Sequence, residues 1–392
     1  MKILFFHHGH VRAGAAVSLF VLLQQLKRHG IKSDLVDTLR TPEVVDFYQE
    51  VCQNVISRRI WYYPHSSLFW FDFRSIRNIL GNLKWMILYP CACLTMFGCL
   101  RGKNYDIVHF NSATLIAYGW IPKVLGLKLI CHIREPFIRG HFGFRRMMLR
   151  TCLRLFSDHS IAICVDNAED TKLSFDQVTL VYNPVDFDQF DFLSVEQEAS
   201  RRALGVSSDA FITLFAGGSN ATVKGVSDYL HAMDELTQKI PNLVCLMPSF
   251  DESRLDGASA RACPKRLGDR IIRSVFVRDI EKWISASDVV YALHQLPHFS
   301  RTVMEAGAMK RVVVATNIGG IREIVSDEEN GLLCPVGEVG AIVRATLRLH
   351  DNPALAVRLG DGGYEQAFRL FRAEAHGDHV MDIYRSVMGE RC

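Results

Sequence analysis

The stretch "HFSRTVMEAGAMKRVVVATNIGG", residues 298–320, decides how this chain is read. It runs from a Ser-Arg-Thr turn into a helical pattern, then a short apolar strand, "VVVAT", and then a glycine pair. Ser300 suits a helix N-cap, which leaves the backbone N–H groups after it pointing out of the helix end. Such an end attracts anions, phosphate above all. Glu305 sits about one turn further in, among Val303, Met304, Ala306, Ala308 and Met309. A carboxylate there can accept hydrogen bonds from the paired hydroxyls of a ribose. It can equally be a solvated helix residue, and this stretch alone leaves both open. Gly319-Gly320, between strand and helix, lets backbone amides approach a diphosphate, or is an ordinary tight turn.

Strand–helix alternation extends outward in both directions. "KILFFHH" reads as a first strand, and "AAVSLFVLLQQLKRHG" as a helix stopped at Gly30. "KSDLVD", "YDIVHF", "KLICHI" and "SIAICV" are further strands. An Asn-Pro turn within "VYNPVDF" (181–187) breaks the series, which restarts at "AFITLFAGG" and continues through "NLVCLMPS", "SVFV", "VVYAL" and "VVVAT". The alternation predicts a parallel, doubly wound α/β sheet, and the restart predicts two. Ligands of such sheets bind beyond the carboxyl ends of the strands, so the cleft between the sheets is the default site. The last stretch, "HGDHVMDIYRSVMGERC", reads as an amphipathic helix.

Composition fits two globular domains: 392 residues, 49% hydrophobic and 22% charged. The eleven cysteines have irregular spacing and no CxxC pair, which argues for reduced core residues rather than a disulfide framework or zinc knuckle. "MKILFFHHGH" lacks the apolar length and cleavage site of a signal peptide. The most apolar window, "WMILYPCACLTMFGCL" (85–100), would reach about 24 Å as a helix and contains Pro90, so it reads as a buried or interfacial segment rather than a span. Residues 1–185 carry 22 Lys/Arg against 13 Asp/Glu, and residues 186–392 carry 23 against 29. One half is basic and the other acidic, within a net charge of +3.

"FAGGSNATVKG" places Lys224 seven residues after Gly217, where a lysine can hold a phosphate as a point charge. It is not a P-loop, because Gly225 follows the lysine, and neither first-strand turn reads GxGxxG. That disfavours a dinucleotide oxidoreductase or sugar epimerase. His7, His8 and His10 have no metal-ligand spacing. Taken alone, His132 is more often a core histidine than a functional one.

The order Gly-Gly-x5-Lys-Gly, then F-x5-EA from Phe299, then VVVAT-x2-GG-x2-E ending at Glu323 resembles the retaining GT-B glycosyltransferases of family 4, of bacterial polysaccharide-biosynthesis type. "NPVDFDQF" is similar to that family's linker, "ENGLLCP" to the loop after its glycine pair, and "RAGAAVSLF" to its N-terminal glycine loop. The DxD-like "DFD" (186–188) falls in the linker and reads as structural. The resemblance implies two Rossmann-like domains facing across a cleft. Residues 1–185 would bind acceptor, 186–374 would bind a nucleotide-sugar, and a final helix, about 375–392, would pack back on the first. It implies a donor site at Gly217, Gly218, Lys224, Phe299, Ser300, Arg301, Glu305, Gly319 and Gly320. Glu305 would bind the ribose and Lys224 the diphosphate. His132 would lie beside the donor sugar, and Gly14, Arg134 and Glu135 would belong to the acceptor and reaction-centre loop. Catalysis would rest on His132, Lys224 and Glu305, with no metal and no cofactor.

Two family positions are changed. The phosphate arginine falls at Ser219, and the first of two spaced glutamates, which contacts the donor sugar, falls at Pro297. Arg301 is a candidate to replace the lost positive charge, and His294 or His298 the lost sugar contact. The basic half suggests an acceptor at an anionic membrane: "FGFRRMMLRTCLRLF" (142–156) is amphipathic with arginines at 145, 146, 150 and 154, and Arg58, Arg59, Arg74, Arg77, Arg101 and Lys103 flank apolar segments. An ordinary solvated helix face fits the same pattern. Nucleic acid does not fit, since no interleaved aromatics or motif accompany the charges. The expected function is sugar transfer from a UDP- or GDP-linked donor to a glycan or polyprenyl-pyrophosphate-linked acceptor, in the cytoplasm or peripherally at the inner membrane face. A GT-B-shaped protein that binds nucleotide or glycan without catalysis is the alternative.

Overall fold

The structure is a computed structural model that describes residues 1–9, 14–61, 75–216, 223–250, 267–274, 277 and 279–390. It contains two α/β units, Met1–Pro184 with Ala373–Cys392, and Val185–Arg372.

The first unit is a seven-stranded parallel sheet of β1 (Lys2–His7), β2 (Lys32–Asp37), β3 (Asn54–Ser57), β4 (Ile107–Phe110), β5 (Lys128–Ile133), β6 (His159–Ala162) and β7 (Val178–Leu180), in the order β3-β2-β1-β4-β5-β6-β7. Its central strands are near-continuous apolar runs because helices cover both faces. On one face Leu19, Leu22 and Leu26 of helix Gly14–Arg28 join Phe5, Leu35 and Ile107, together with Val380 and Tyr384 of helix Ala373–Met388. A Cβ at Gly377 would lie 2.6 Å from Gln25 Cβ, so glycine permits this helix crossing. On the other face Ala92, Met96 and Leu100 pack with Phe6, Val108 and Phe110.

Those three residues belong to helix Ile76–Leu100, and here the structure corrects a sequence expectation. Pro90 does not interrupt the apolar window, and the helix runs through it for 25 residues, about 37 Å. Pro90 is exposed, so the carbonyl it leaves unpaired faces the water side. By length and composition this is the one helix among the described residues able to cross a membrane. Its first half leaves Ile76, Leu80, Leu83, Met86 and Ile87 exposed.

The second unit is a six-stranded parallel sheet of β8 (Phe211–Phe215), β9 (Leu243–Pro248), β10 (Ile271–Ser274), β11 (Val289–Ala292), β12 (Val312–Thr316) and β13 (Leu332–Cys334), ordered β10-β9-β8-β11-β12-β13. Tyr229 and Met233 of helix Val226–Leu236 pack on Tyr291 and Val314. A strand is described at Ile271–Ser274; of the strand expected at "SVFV" (274–277), residues 275 and 276 lie outside the described residues. "ENGLLCP", expected as loop, contains β13. The nine described cysteines are all free.

Both sheets are doubly wound and Rossmann-like. Strand order reverses between β1 and β4 in one and between β8 and β11 in the other, and these reversals are where such sheets form a ligand crevice.

Candidate functional site

In the second unit, the turns after β8 and β11 are stitched together. Gln295 N donates to Val223 O at 2.9 Å, and a Cβ on Gly225 (φ +80°) would lie 2.0 Å from Leu293 O. Only glycine permits that approach. It brings Lys224 to the β8/β11 reversal, its Nζ 3.5 Å from Ala216 O. Burial lowers the Lys224 pKa, and the Glu305 carboxylate opposes that shift. Gly217, Gly218 and Ser219 lie outside the described residues.

Glu305 is on helix Arg301–Ala308, and Ser300 occupies the N-cap position. The Ser300 side chain makes no cap hydrogen bond, so the expected side-chain cap is not formed. The Arg301 side chain is paired with Glu305. Its Nε and one terminal nitrogen donate to Glu305 Oε1 at 3.0 and 2.8 Å, with both side chains 12% exposed. The i,i+4 spacing on a helix brings this pair together. Burial raises the Glu305 pKa, with Arg301 first and then Lys224 acting against it. Arg301 is paired with the carboxylate, and Lys224 acts on it from further away with the Glu281 charge opposing both, which leaves the Lys224 ammonium unpaired among the described residues and able to meet an anion. Phe299 is buried, its ring edge-on to Phe371 at 6.1 Å.

The glycine pair closes the same region. His298 N donates to Gly319 O at 3.1 Å, and a Cβ on Gly320 (φ +76°) would lie 2.6 Å from His298 O. This backbone contact is itself a sufficient reason for glycine at 320. The pair is followed by turns over residues 321–324 rather than by the helix expected there. His294, just beyond β11, is buried with its ring stacked on His298, centroids 4.4 Å apart and planes at 15°. Neither His294 ring nitrogen has a hydrogen-bond partner.

The first unit fills its reversal with its own side chains. Asn111, after β4, contacts His7 Nδ1 at 3.1 Å and accepts from Arg134 Nε at 2.8 Å. Arg134 also donates to Asn183 Oδ1 at 2.6 Å and to His132 Nδ1 at 3.3 Å. A guanidinium only donates, so the neutral His132 ring carries its hydrogen on Nε2. His132 has no exposed surface, its ring lying 5.5 Å from His109 and 6.4 Å from His376. Burial, then the Arg134 charge, depresses the pKa of all three histidines, that of His376 to about 3. His109 meets Tyr384 Oη at 2.7 Å, and His376 donates to Tyr182 O at 2.8 Å. Glu135 is buried, with Oε1 3.8 Å from His8 Nε2. Of the expected first-unit residues, Arg134 and His132 are thus in direct contact. Gly14 is exposed at the start of its helix, and residues 10–13 before it lie outside the described residues.

Sequence reasoning missed His109, Asn111, Asn183, His376 and Tyr384 as members of this network. A histidine inside the otherwise apolar strand "IVHF" was the available signal.

Helix Phe144–Phe156 borders a groove of about 430 Å³ lined by Arg139, Arg146, Arg150 and Arg154 with Phe142, Met147 and Leu155. Arg145, expected on the basic face, is instead buried, which lowers its pKa to about 10. Arg150 Nε donates to Asp170 O and Arg146 Nε to Phe137 O.

Sequence models of two families match the chain: "Glycosyltransferase Family 4" over residues 12–189 and "Glycosyl transferases group 1" over 196–366. Putative glycosyltransferase EpsD of Bacillus subtilis is 28% identical over 204 residues, 50% of this chain and 50% of that protein. D-inositol 3-phosphate glycosyltransferase 1 of Catenulispora acidiphila is 25% identical over 404 residues, covering 97% and 92%. The match thus spans about half the length of EpsD, and 46% of a second relative, a D-inositol 3-phosphate glycosyltransferase of Nocardioides. Among solved structures, Anabaena Alr3699/HepE in complex with UDP superposes with a TM-score of 0.77 at 18% identity, covering 98% of this chain and all of that one. A glycosyltransferase from Rickettsia africae gives 0.76 at 17%, covering 100% and 99%. Each doubly wound unit thus matches its own glycosyltransferase family model, and along its whole length the chain has the GT-B fold of these structures.

Proposed function

We propose that this chain is a retaining, metal-independent hexosyltransferase. It moves a sugar from a UDP- or GDP-linked donor to a glycan or polyprenyl-pyrophosphate-linked saccharide during surface polysaccharide or glycolipid assembly. The observation that carries the reading is the cluster at the β8/β11 reversal, where Lys224 and the Arg301–Glu305 pair meet at the crevice of a Rossmann-like sheet. As the bond between the anomeric carbon and the diphosphate oxygen breaks, negative charge grows on the diphosphate. A lysine already held in a dry site stabilises that charge without reorganisation. Glu305 Oε2, which accepts neither Arg301 bond, is the oxygen available to a ribose hydroxyl. His132 offers its Nε2–H as a neutral donor, supported by Arg134.

The acceptor side is assigned to the first unit, with its arginine-lined groove beside helix Phe144–Phe156 and the exposed apolar half of helix Ile76–Leu100. Both suit a peripheral position on the cytoplasmic face of an anionic membrane, the arginines with lipid phosphates and the apolar residues with acyl chains. A second reading, a nucleotide- or glycan-binding protein without transfer activity, is favoured by Pro297 and by the engagement of Arg301 with Glu305.

The deciding test is thermal stabilisation by UDP, GDP and ADP and their sugar conjugates, with Glu305→Ala alongside. The HepE structure contains UDP, which puts uridine nucleotides first. A shift with one diphosphate that disappears in the variant supports the donor site. Transfer that survives a metal chelator supports metal independence, and nucleotide release on adding acceptor separates enzyme from binder. No shift with any nucleotide, from a folded sample, sinks the proposal.

A further inference from the structure

His294 stands out among the described residues of the second unit. It is 5% exposed, yet neither ring nitrogen makes a hydrogen bond. The Ala292 carbonyl is near enough to favour a proton on the ring but does not reach bonding geometry. A buried polar group left this way lowers stability, so an enclosed imidazole with two open nitrogens points to a partner the chain does not supply.

The ring is also held in place. His298 stacks on one of its faces, and the His298 backbone is fixed in turn by Gly319 O. Thr316 Oγ1 donates to His294 O at 2.8 Å. Stacking covers one face, and both nitrogens are closed to solvent as well as unbonded, so a ligand reaches them only by displacing part of the wall around the ring. The chain neighbours of His294, Leu293 and Gln295, contact Gly225 and Val223, the residues on either side of Lys224, so His294 lies at the same turn as that lysine.

Resting on the donor-site reading above, we propose that His294 is a donor-specificity residue whose imidazole hydrogen-bonds hydroxyls of the sugar carried by the nucleoside diphosphate. Ligand chemistry selects the sugar over the phosphate. Burial and the neighbouring His298 and Lys224 keep the ring neutral, so it offers one N–H and one lone pair. A diphosphate only accepts and would leave the lone pair unmatched. A hydroxyl both donates and accepts, and two neighbouring hydroxyls satisfy both nitrogens. His294 lies three residues before Pro297, which has no side-chain group to make such bonds.

The test compares wild type, His294→Ala and His294→Asn by calorimetry with UDP, GDP and ADP and with UDP-glucose, GDP-mannose and ADP-glucose. The expected result is about tenfold weaker binding of the sugar nucleotide by His294→Ala, the loss of one well-made buried hydrogen bond. Affinity for the bare diphosphate should stay within about twofold, and His294→Asn, which keeps a donor and an acceptor, should recover part of the loss. Melting temperatures without ligand identify a misfolded variant, in which case His294→Asn alone is read for a changed ratio of sugar nucleotide to diphosphate affinity. Equal weakening of both ligands means His294 only supports the nucleotide pocket, and unchanged binding of both means water occupies the ring; either overturns the inference while leaving the donor site intact. Absence of nucleotide binding by the wild type overturns the donor-site reading and this inference together.

Discussion

The two strand-order reversals have the same topology and opposite contents. At β1/β4 most polar groups are bound to one another, His7 to Asn111, Asn111 to Arg134, and Arg134 to Asn183 and His132, and each of His109, His132 and His376 keeps one bonded ring nitrogen and one without a hydrogen-bond partner. At β8/β11 the Lys224 ammonium reaches only a long bond to a carbonyl, and neither nitrogen of the His294 ring has a hydrogen-bond partner. A doubly wound sheet dictates where a crevice falls, but side chains decide whether it becomes a locked polar core or an open site. Burial in the first unit fixes geometry, whereas in the second it raises the value of each ligand contact by excluding water.

Acid should separate the units most strongly. His109, His132 and His376 have folded pKa values below the unfolded value, so the unfolded state binds more protons as pH falls below about 6.5. Stability present at neutral pH is lost on acidification, about 2 kcal/mol per histidine between pH 7 and pH 5, or about 6 kcal/mol for the first unit. The second unit has His294 acting in that direction, but burial raises the pKa of Glu305 and Asp288, so they bind protons more readily folded than unfolded and oppose the loss in the carboxylate range. Trp283 is the one tryptophan of residues 185–372, so Trp283→Phe leaves fluorescence from the first unit alone. That signal should be lost at higher pH than the global circular dichroism. Coincident transitions would break the comparison.

Arg134→Met should cost about 4 kcal/mol, because the Asn111 and Asn183 oxygens lose charged donors inside the core. It should also flatten the acid limb by removing a charge that disfavours histidine protonation. Urea unfolding read by first-unit fluorescence measures the first effect, and its repetition at pH 5 the second.

Gly225→Ala should cost about 3 kcal/mol in the second unit, from a left-handed φ and a Cβ driven into Leu293 O. Nucleotide affinity should fall with it, since the same contact positions Lys224. A variant that melts lower but binds normally would show that Lys224 does not depend on this turn.

Arg301→Ala has the smallest expected effect, about 2 kcal/mol, because the largely buried Glu305 loses its two charged hydrogen bonds but can take up a proton. Its larger consequence is electrostatic. Without the guanidinium the Glu305 pKa rises further, so nucleotide binding that requires the carboxylate should be lost at higher pH on acidification than in the wild type. Parallel pH profiles would mean that Glu305 does not act as a carboxylate.

Much of this contrast was written locally in the sequence. The central strands are uninterrupted apolar runs, and "KILFFH", "KLICHI" and "VVVAT" occur where expected. The missed strands β3, β7 and β13 all lie at sheet edges, pair on one side only and are three or four residues long, too short to display a period. Lys224 and Glu305 were legible because each sits in a local pattern of glycines and apolar residues. The histidine network was not, because His109, His132 and His376 come from positions separated by up to 267 residues and meet only after the last helix docks. Arg145 was placed on the wrong face because periodicity counts an arginine as polar wherever it points.

That last helix has a consequence for how the chain is made. Tyr384 and His376 complete the interior of a unit whose other residues end at Pro184, so on the ribosome the first unit waits for synthesis of the entire second one. At about 5–20 residues per second the delay is roughly 10–40 s. During it the buried histidines and the face that receives Val380 lie open to solvent and to chaperones. The unit that comes second in the sequence has every residue it needs first, and the order of folding runs against the order of translation.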